Sequence, residues 1–395
     1  MKILIVGAGF GGLFTALALS QYPWKEERPQ ITLVDREDRF LFVPLLYELL
    51  TGELQTWEIA PPLVEVLQGT GVEFIQGEVK AIDPGHQSCL LTDGQTLEGD
   101  YLVVAIGGQT PTFGIKGVTE YAIPFRSLAH AQRVEQRLRE LEQKERVRIA
   151  IVGAGASGVE LACKIGDRLG SKGVLSLLDR ADIVLPNFDE NLRKPAIKAL
   201  EDRDVHLMME KVIEEITEEG VVYRSVDGDV LETLPAGLVL WTVGTAVPEL
   251  ITQSSLEKDE RGYIQVTSTL QSSNYPRVFA LGDLASCPLP EGKKAPLSAQ
   301  VAYQQADFCA WNLWASIHKR PLLEFRYFEL GTLISLGTTQ AAASILGYGL
   351  SGPVAHILRR LVYLGRMPSS KHQWQVGVNW LSDALVRNLR TWASS

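Results

Sequence analysis

Two glycine-rich segments contain the residues of this 395-residue chain that are best suited to chemistry. In the first, Gly7, Gly9 and Gly12 follow a short apolar run, and Asp35 ends the next such run. At this spacing the first glycine permits a tight turn, the second admits a pyrophosphate and the third lets helix and strand pack closely. The phosphates lie at the helix N-terminus, where free N–H groups favour anions. The segment predicts dinucleotide binding, with Asp35 accepting from a ribose hydroxyl, against the alternative of a glycine-rich loop in an ordinary α/β sheet.

The same arrangement returns later, with Gly153, Gly155 and Gly158 followed by Asp179. Two complete units predict two dinucleotides, a bound flavin and a soluble nicotinamide. Asp179 favours the free 2′-hydroxyl of NAD, whereas Arg180 beside it could pair with the 2′-phosphate of NADP. The sequence leaves NAD and NADP as alternative ligands. Asp179 and Arg180 could also be an ordinary polar strand end.

Three further groups could act near these cofactors. Glu160 lies in the first turn of the helix after Gly158, where the helix dipole favours a carboxylate; it is either close to the nicotinamide or an ordinary helix-start acid. Gly282-Asp283 could place a carboxylate on a ribitol hydroxyl or form a common turn. Gln300 and Gln304 share one face of a predicted helix, which suits a neutral carbonyl ligand or an ordinary surface.

The glycine segments need strands and helices at fixed places, and the apolar periodicity predicts them. Each segment lies between a run typical of a buried parallel strand and a helical pattern, so the chain predicts the same βαβ unit twice. The segment Leu128–Arg146 predicts a charged helix that is a solvated connector. The predicted strands are Ile3–Val6, Ile31–Val34, Asp100–Ile106, Arg148–Val152, Val174–Leu178, Leu238–Val243 and Val278–Leu281, and the predicted helices are Leu13–Ser20, Val159–Leu169 and Ala299–Ile317.

From about Phe325 the pattern predicts a hairpin followed by two amphipathic helices. The uncharged stretch Leu330–Leu358 is interrupted by glycines and Pro353, which favours two short strands and a helix start over a membrane span. The first apolar stripe comprises Val354, Ile357, Leu358, Leu361 and Val362, and the second comprises Trp380, Leu381, Ala384, Leu385, Leu389 and Trp392, with Arg359, Arg360, Arg387 and Arg390 off the stripes.

The composition excludes several classes of protein. A hydrophobic fraction of 46% and a charged fraction of 22% are globular values. The formal net charge of −9 argues against nucleic acid as a partner. Residues 351–395, however, contain six Lys or Arg and one Asp, and a basic tail on an acidic body suggests an anionic surface.

Cysteine and histidine spacing is equally informative. The four cysteines form no C-x-x-C pair, which argues against a disulfide framework and for a reducing compartment. The six histidines are scattered, so no metal site is predicted. The chain has neither a G-x-S-x-G elbow nor a G-x-x-x-x-G-K-[ST] loop, which argues against a hydrolase and an NTPase.

Read together, these motifs resemble the type II NAD(P)H:quinone oxidoreductases, which are single-subunit, non-proton-pumping enzymes, and the resemblance runs nearly end to end. Stretches such as residues 55–62, 239–245, 350–353 and 359–364 are similar to the cyanobacterial and plastid branch. The motifs that carry the resemblance are GAGFGG with Asp35, Pro44–Glu48, residues 100–105, GAGASGVE at Gly153–Glu160, Ala280–Asp283 and the pattern Ala299-Gln300 with Gln304-Gln305.

The resemblance implies an α/β fold with two Rossmann-like dinucleotide-binding domains, similar to flavin disulfide reductases, and a C-terminal hairpin and amphipathic-helix region that anchors the protein to a membrane. Residues 1–112 and 266–324 would bind FAD, residues 113–265 would bind NAD(P)H, and residues 325–395 would associate with the membrane.

The implied activity is hydride transfer from the co-substrate NAD(P)H to FAD and then to a membrane quinone. The expected quinone is a naphthoquinone, demethylphylloquinone, in phylloquinone (vitamin K1) biosynthesis, or plastoquinone as in a respiratory enzyme. The protein would be peripheral on the cytoplasmic face of a thylakoid or plasma membrane, with a homodimer left open. The implied catalytic residues are Glu160, Gln300 and Gln304; those binding cofactor are Gly7, Gly9, Gly11, Gly12, Asp35, Arg36, Ala105, Gly107, Gly282 and Asp283, and Gly153, Gly155, Gly158, Asp179, Arg180 and Gly244.

The sequence departs from the family pattern at two places. Tyr303 stands where some relatives have His, and Asp179-Arg180 stands where many have Glu and a small residue. Three other functions stay open: a sulfide:quinone reductase using Cys163 and Cys309, a ferredoxin-type reductase, and a flavin-binding redox sensor without turnover.

Overall fold

The computed structural model describes residues 1–24 and 28–393, apart from the side chains of residues 291 and 383–393. The chain divides into two compact units. The first unit comprises Met1–Phe40, Ala60–Gln109 and Thr245–Phe328, and the second comprises Leu41–Ile59, Thr110–Gly244 and Glu329–Ser395. Each unit contains one of the two glycine-rich loops. The predicted domain ranges are drawn differently and stay a prediction.

The first unit is built on a five-stranded parallel sheet. Its central strand, Lys2–Val6, is apolar beyond its first residue and is buried because both faces of the sheet are covered. Ile5 lies opposite Leu33 on one side and Val103 on the other. Helices Phe10–Gln21 and Ala299–Ile317 pack against each other. In spatial order the strands are Val278–Ala280, Tyr101–Val104, Lys2–Val6, Gln30–Asp35 and Val72–Gln76.

Smaller elements complete the first unit, and the sequence did not predict them. They are an antiparallel sheet of Val79–Asp83, Ser88–Leu91 and Thr96–Glu98, the parallel pair Ile264–Gln265 and Ala285–Ser286, the short helices Leu63–Val66 and Glu249–Thr252, and a 3₁₀ turn at Pro290–Gly292.

The second unit repeats the parallel sheet. All seven strands predicted for the two sheets are present, and their ends differ from the prediction by at most two residues. In spatial order the strands are His206–Met208, Gly173–Leu178, Val147–Val152, Leu238–Trp241 and Ala122–Pro124. The helices are Leu128–Leu141, Ala156–Leu169 and Glu190–Glu201, with short turns at Val43–Leu49, Thr56–Ile59, Val118–Tyr121 and Gly170–Lys172, and an antiparallel sheet is formed by Lys211–Thr217, Gly220–Ser225 and Glu232–Pro235.

The C-terminal part of the second unit is a three-stranded antiparallel sheet followed by two helices. The first two strands were predicted; the third was not, because its glycines have low strand propensity. Ala341 and Ala343 of the middle strand pack under Ala355 of the following helix. Within the described residues, no helix combines the length and apolar character needed to cross a bilayer. The elements are Thr332–Ser335, Ala341–Ile345, Tyr348–Gly352, Pro353–Leu364 and Ser370–Ala393.

The prediction of a solvated connector helix was wrong. The helix ends at Leu141 rather than Arg146, and Ala131, Val134, Leu138 and Leu141 are buried along one face. These four residues form a narrow apolar stripe that the surrounding charges obscured in the sequence. The helix is therefore an integral part of the second unit.

We expect Leu138→Ala to lower the free energy of unfolding by about 2–5 kcal/mol, because truncation of a buried leucine removes contacts and leaves a cavity. The control is Arg139→Ala, since Arg139 is exposed and pairs with Glu135 on the surface; its expected cost is below about 1 kcal/mol. Equilibrium urea unfolding followed by circular dichroism measures both. Equal stability of the two variants would restore the solvated-connector interpretation.

Candidate functional site

The first glycine loop is shaped by positions that no side chain can occupy. Gly7 has φ +101°, and a Cβ there would overlap the Ala105 carbonyl. A Cβ on Gly12 would overlap the carbonyl oxygen of Gly7. A Cβ on Gly9, by contrast, would meet nothing within 4 Å. The loop is thus closed towards the protein and open at Gly9, where a pyrophosphate is expected to approach.

The second glycine loop has the same geometry. Gly153 has φ +109°, a Cβ on Gly158 would overlap the Gly153 carbonyl oxygen, and a Cβ on Gly155 would meet nothing within 4 Å. Both loops lead into a helix N-terminus that has no side-chain cap. Uncapped N–H groups at such a terminus suit phosphate oxygens. Both loops therefore fit a dinucleotide.

The two aspartates at the strand ends brace these loops. Asp35 Oδ2 accepts from the Ala8 N–H at 2.6 Å and its Oδ1 accepts from the Glu37 N–H at 2.9 Å. Asp179 Oδ2 accepts from the Ala154 N–H, also at 2.6 Å. A carboxylate has about four acceptor positions, so each aspartate can still accept from a ribose hydroxyl. The bracing role was not predicted.

Other predicted flavin-binding residues gather around the first loop. A Cβ on Gly11 would lie 3.2 Å from Leu281 and 3.5 Å from Ala105. Gly107 and Gly282 both have positive φ, at 70° and 81°. They lie shortly after the strands Tyr101–Val104 and Val278–Ala280 of the sheet. The Gly282 N–H donates to Gln305 Oε1 at 2.8 Å. The motif Gln304-Gln305 contains this buried side chain, but the spacing of the motif does not predict its hydrogen bond to the Gly282 N–H.

The other predicted cofactor-binding residues include Arg36, Arg180 and Gly244. Arg36 is exposed, 3.5 Å from Glu37. Arg180 is also exposed. Gly244 has φ +63°, and a Cβ there would lie 3.6 Å from Phe113 and Pro111.

The glutamine pair engages the segment after its helix. Gln300 Oε1 accepts from the Tyr327 hydroxyl at 2.8 Å. Gln304 donates to the Phe328 carbonyl at 2.8 Å and accepts from the Phe328 N–H at 2.9 Å. Both side chains thus hold residues 327–328 in place. On the same helix, Tyr303 packs edge-on against Phe14, with ring centroids 4.7 Å apart.

Glu160 lies inside the second unit. It is buried in the helix Ala156–Leu169, and its Oε1 accepts from the Ser335 N–H at 2.8 Å. Burial raises the pKa of Glu160 to about 7, against the lowering effect of Arg359, whose Nη2 is 3.6 Å from Oε1. The carboxyl can therefore hold or release a proton near neutral pH.

Glu160 belongs to a set of charged side chains that the sequence did not predict, here called the buried ion cluster; all are buried except Arg360, which is partly exposed. Lys164 is fully buried, is hydrogen-bonded to Glu53 and lies 3.6 Å from Glu48. Arg359 is fully buried as well and is paired with Glu48. The cluster comprises Glu48, Glu53, Glu160, Lys164, Arg359 and Arg360.

The position of Arg359 corrects the interpretation of the basic tail. Arg359 was placed among cations flanking the apolar stripes at a membrane surface, but it faces the protein interior. Periodicity located it off the apolar stripe correctly; the error came from assuming that the polar side of the helix faces solvent. The side chains of Arg387, Arg390 and Trp392 lie outside the described residues.

The cysteine thiols are not arranged for chemistry. All four cysteines are free and buried. Burial raises the pKa of the Cys163 thiol to about 12 and also raises that of Cys309, so neither is an activated thiolate. Within residues 1–24 and 28–393, no cluster of His, Cys, Asp and Glu suited to holding a metal ion occurs.

Comparison with known proteins gives consistent results. The family described as "Pyridine nucleotide-disulphide oxidoreductase" matches residues 1–306. The chain is 46% identical to demethylphylloquinone reductase of Synechocystis sp., over 97% of this chain and 96% of that one. It is 38% identical to the alternative NAD(P)H-ubiquinone oxidoreductase C1, chloroplastic/mitochondrial, of Arabidopsis thaliana, over 98% of this chain and 82% of the relative.

The solved structures include NDH2 from Plasmodium falciparum in complex with NADH. Its TM-score is 0.85 at 18% identity, with 96% of this chain and 97% of that chain covered, which establishes a shared fold. The chain therefore belongs to the pyridine nucleotide-disulphide oxidoreductase family and, within it, to the type II NAD(P)H:quinone oxidoreductases.

Proposed function

We propose that this chain is an FAD-dependent enzyme that takes a hydride from NAD(P)H and passes two electrons to a membrane quinone. The observation that carries this proposal is the pair of glycine loops with the same geometry, one in each compact unit. The name of one relative supports demethylphylloquinone as the acceptor, and the name of another supports a ubiquinone-type acceptor as the second candidate. Plastoquinone and a role in phylloquinone biosynthesis stay predictions from the sequence.

The first unit is proposed to hold FAD. Gly9 admits the pyrophosphate, Asp35 accepts from the ribose while bracing the loop, and Asp283 accepts from the ribitol. When bound, FAD supplies the chemistry that accepts the hydride and releases the electrons. The ranges proposed for this domain stay 1–112 and 266–324.

The second unit is proposed to hold the nicotinamide nucleotide on Gly153–Gly158, within the range 113–265. The negative charge of Asp179 disfavours the 2′-phosphate of NADPH, whereas the exposed Arg180 favours it. Both NADH and NADPH are therefore proposed as donors. Glu160 is proposed to hold the proton that accompanies turnover, since its pKa of about 7 permits both states.

The quinone is proposed to bind at the Gln300 and Gln304 face. Both amides already order residues 327–328, so their contribution is to shape this wall of the site as well as to offer hydrogen bonds.

The helix Pro353–Leu364 supports peripheral attachment to a membrane through residues 325–395. Val354, Ile357 and Leu361 are 63%, 59% and 60% exposed, whereas Arg359 points inward. An apolar stripe facing outward reverses the usual arrangement of a surface helix and is typical of helices that lie in a lipid interface. Trp374, Val378 and Leu381 of the next helix are exposed too.

The proposed location is the cytoplasmic face of a thylakoid or plasma membrane. A homodimer is a further possibility that the sequence raised.

The alternative activities have less support. A sulfide:quinone reductase needs reactive thiols, and Cys163 and Cys309 are buried with raised pKa values. A redox sensor would not turn over, so rapid reoxidation of the reduced flavin by a quinone distinguishes an enzyme from a sensor.

We expect anaerobic stopped-flow mixing with NADH or NADPH to bleach the visible flavin absorption, and subsequent addition of a soluble naphthoquinone to restore it, because both half-reactions share one cofactor. The faster of the two nucleotides is the preferred donor. Bleaching without recovery on quinone addition would leave the nucleotide sites in place and refute the quinone as acceptor.

We expect Gln304→Leu to raise the KM for naphthoquinone roughly tenfold, because it releases the Phe328 backbone that forms this wall of the proposed site and removes an amide that can bond a quinone carbonyl. The rate of flavin bleaching by NADH should stay within about twofold of wild type, a change below about 0.5 kcal/mol. Gln136→Leu, on an exposed helix surface, is the matched control. A variant with slowed bleaching and an unchanged quinone KM would contradict the placement.

We expect the double substitution Ile357→Asp, Leu361→Asp to weaken sedimentation with anionic vesicles by tenfold or more, since each apolar side chain contributes about 1.5–3 kcal/mol when buried. Val230→Asp is the control, because Val230 is 75% exposed on another part of the second unit. Trp380 is a poorer choice, since it donates to Glu58 at 2.8 Å. Undiminished sedimentation of the double variant would show that this helix is not the membrane contact.

A further inference from the structure

Arg359 is a charged side chain with no exposed surface on a helix that otherwise presents apolar residues outward. Arginine is almost never fully buried unless it is paired. Its Nη1 is paired with Glu48, its Nη2 donates to the Pro44 carbonyl at 2.6 Å, and the guanidinium lies 4.9 Å from the centre of the Tyr363 ring. These contacts hold the guanidinium in one orientation.

The same guanidinium faces Glu160. Arg359 Nη2 is 3.6 Å from Glu160 Oε1, and that oxygen also accepts the Ser335 N–H. The helix Pro353–Leu364 thus supplies the charge and the strand Thr332–Ser335 supplies the hydrogen bond, so two C-terminal elements define where the carboxyl of Glu160 lies.

Stability alone is a weak explanation for this arrangement. Replacement of a buried ion pair by apolar groups of similar volume is often neutral or stabilising. The buried ion cluster contains three acids and three bases, so it is neutral when Glu160 is ionised and carries one positive charge when Glu160 is protonated. The net charge of the buried ion cluster therefore depends on whether Glu160 carries a proton.

We propose that Arg359 is a positioning residue for Glu160: its guanidinium, held by Glu48 and Pro44, fixes the Glu160 carboxyl against Ser335 and places a positive charge beside it. This inference rests on the proposed function, in which Glu160 exchanges the proton that accompanies turnover. Arg359 acts only through Glu160, and no contact with a nucleotide or a quinone is assigned to it.

The groups around Glu160 determine the sign of each effect. Burial is the largest influence and raises its pKa; Arg359 and Lys164 lower it, and Glu48 raises it. Both nearby tyrosines stay neutral, because burial raises their pKa values, and burial likewise keeps Cys163 protonated. By element, these groups are Cys163 and Lys164 from its own helix, Tyr47 and Glu48 from Val43–Leu49, and Arg359 and Tyr363 from Pro353–Leu364, with the Ser335 N–H from Thr332–Ser335.

We expect Arg359→Met to move the pKa of Glu160 upward by about 1–3 units, the usual effect of an adjacent opposite charge. Glu48→Gln should move it downward, because a neighbouring negative charge is removed, and Arg359→Lys should restore a value close to wild type. Arg360→Met is the matched control. Arg360 is the next residue on the same helix, is partly exposed and contacts Glu53 at 3.4 Å rather than Glu160, so its replacement should shift the titration of Glu160 much less than Arg359→Met does.

Two measurements on the full-length holoenzyme test this. Infrared difference spectra against pH follow the carbonyl stretch of the protonated carboxyl, which is assigned by its loss in Glu160→Gln. The pH dependence of kcat/KM with NADH and a soluble naphthoquinone follows the same group through turnover. The corresponding limb of the profile should move to higher pH in Arg359→Met, where the pKa of Glu160 is raised, and to lower pH in Glu48→Gln, where it is lowered.

The outcomes separate the inference from the proposed function. Opposite shifts in Arg359→Met and Glu48→Gln, with a much smaller shift in Arg360→Met, support the positioning role. An infrared titration of Glu160 that is the same in wild type, Arg359→Met and Glu48→Gln would overturn it, even in an active enzyme. If wild type fails to reduce quinone, the proposed function falls, and the infrared arm still decides the role of Arg359. Should Arg359→Met not fold, Glu48→Gln and Arg359→Lys decide the question by themselves.

Discussion

Both nucleotide loops depend on one steric constraint. The carbonyl oxygen of the first glycine occupies the place where a Cβ of the third glycine would lie. This contact brings helix and strand close enough for the helix N-terminus to present its N–H groups beside the open second glycine. The aspartate at the end of the next strand then braces the loop by accepting a backbone N–H at 2.6 Å in each unit. The phosphate-binding surface is thus assembled from backbone, and its shape depends little on the identity of the remaining loop residues.

A second constraint, the cost of burying charge, organises the second unit. Glu48, Lys164 and Arg359 have no exposed side-chain surface, and each persists in the interior because a partner compensates its desolvation. Glu160 lies at the end of this chain of pairs, and burial raises its pKa to about 7. A carboxyl balanced in this way responds to small changes in its surroundings, which is the property expected of a group that exchanges a proton.

The helix Pro353–Leu364 combines an apolar outer face with a buried charge on its inner face. Its outer face carries exposed Val354, Ile357 and Leu361, and its inner face carries Arg359. A helix proposed to rest on lipid therefore also supplies the charge nearest to Glu160. The reversed polarity follows from these two tasks, because a lipid surface favours an apolar exterior and an interior carboxylate favours a buried cation.

Much of the fold could be predicted from local patterns. Glycines at fixed offsets and runs of apolar residues are short-range regularities, and they determined the two βαβ units, all seven strands of the predicted set and the long helix Ala299–Ile317. The same local reasoning failed for the helix Leu128–Leu141, whose buried stripe is narrow, and for the strand Tyr348–Gly352, whose glycines conceal it. The helix is stabilised by neighbours that cover its stripe, and the largely exposed strand is stabilised by antiparallel pairing with Ala341–Ile345. Both the cover and the pairing partner are supplied only by the folded chain.

The sequence by itself determined the two dinucleotide loops, their aspartates and the family, since each depends on residues close together in the chain. Only the tertiary structure decided the surroundings of Glu160 and the use of Gln305 at Gly282. Glu48 and Arg359 are 311 positions apart, and no periodicity relates them. Their pairing is set by the desolvation of charge in a shared interior, which arises only when the C-terminal helix packs onto the second unit.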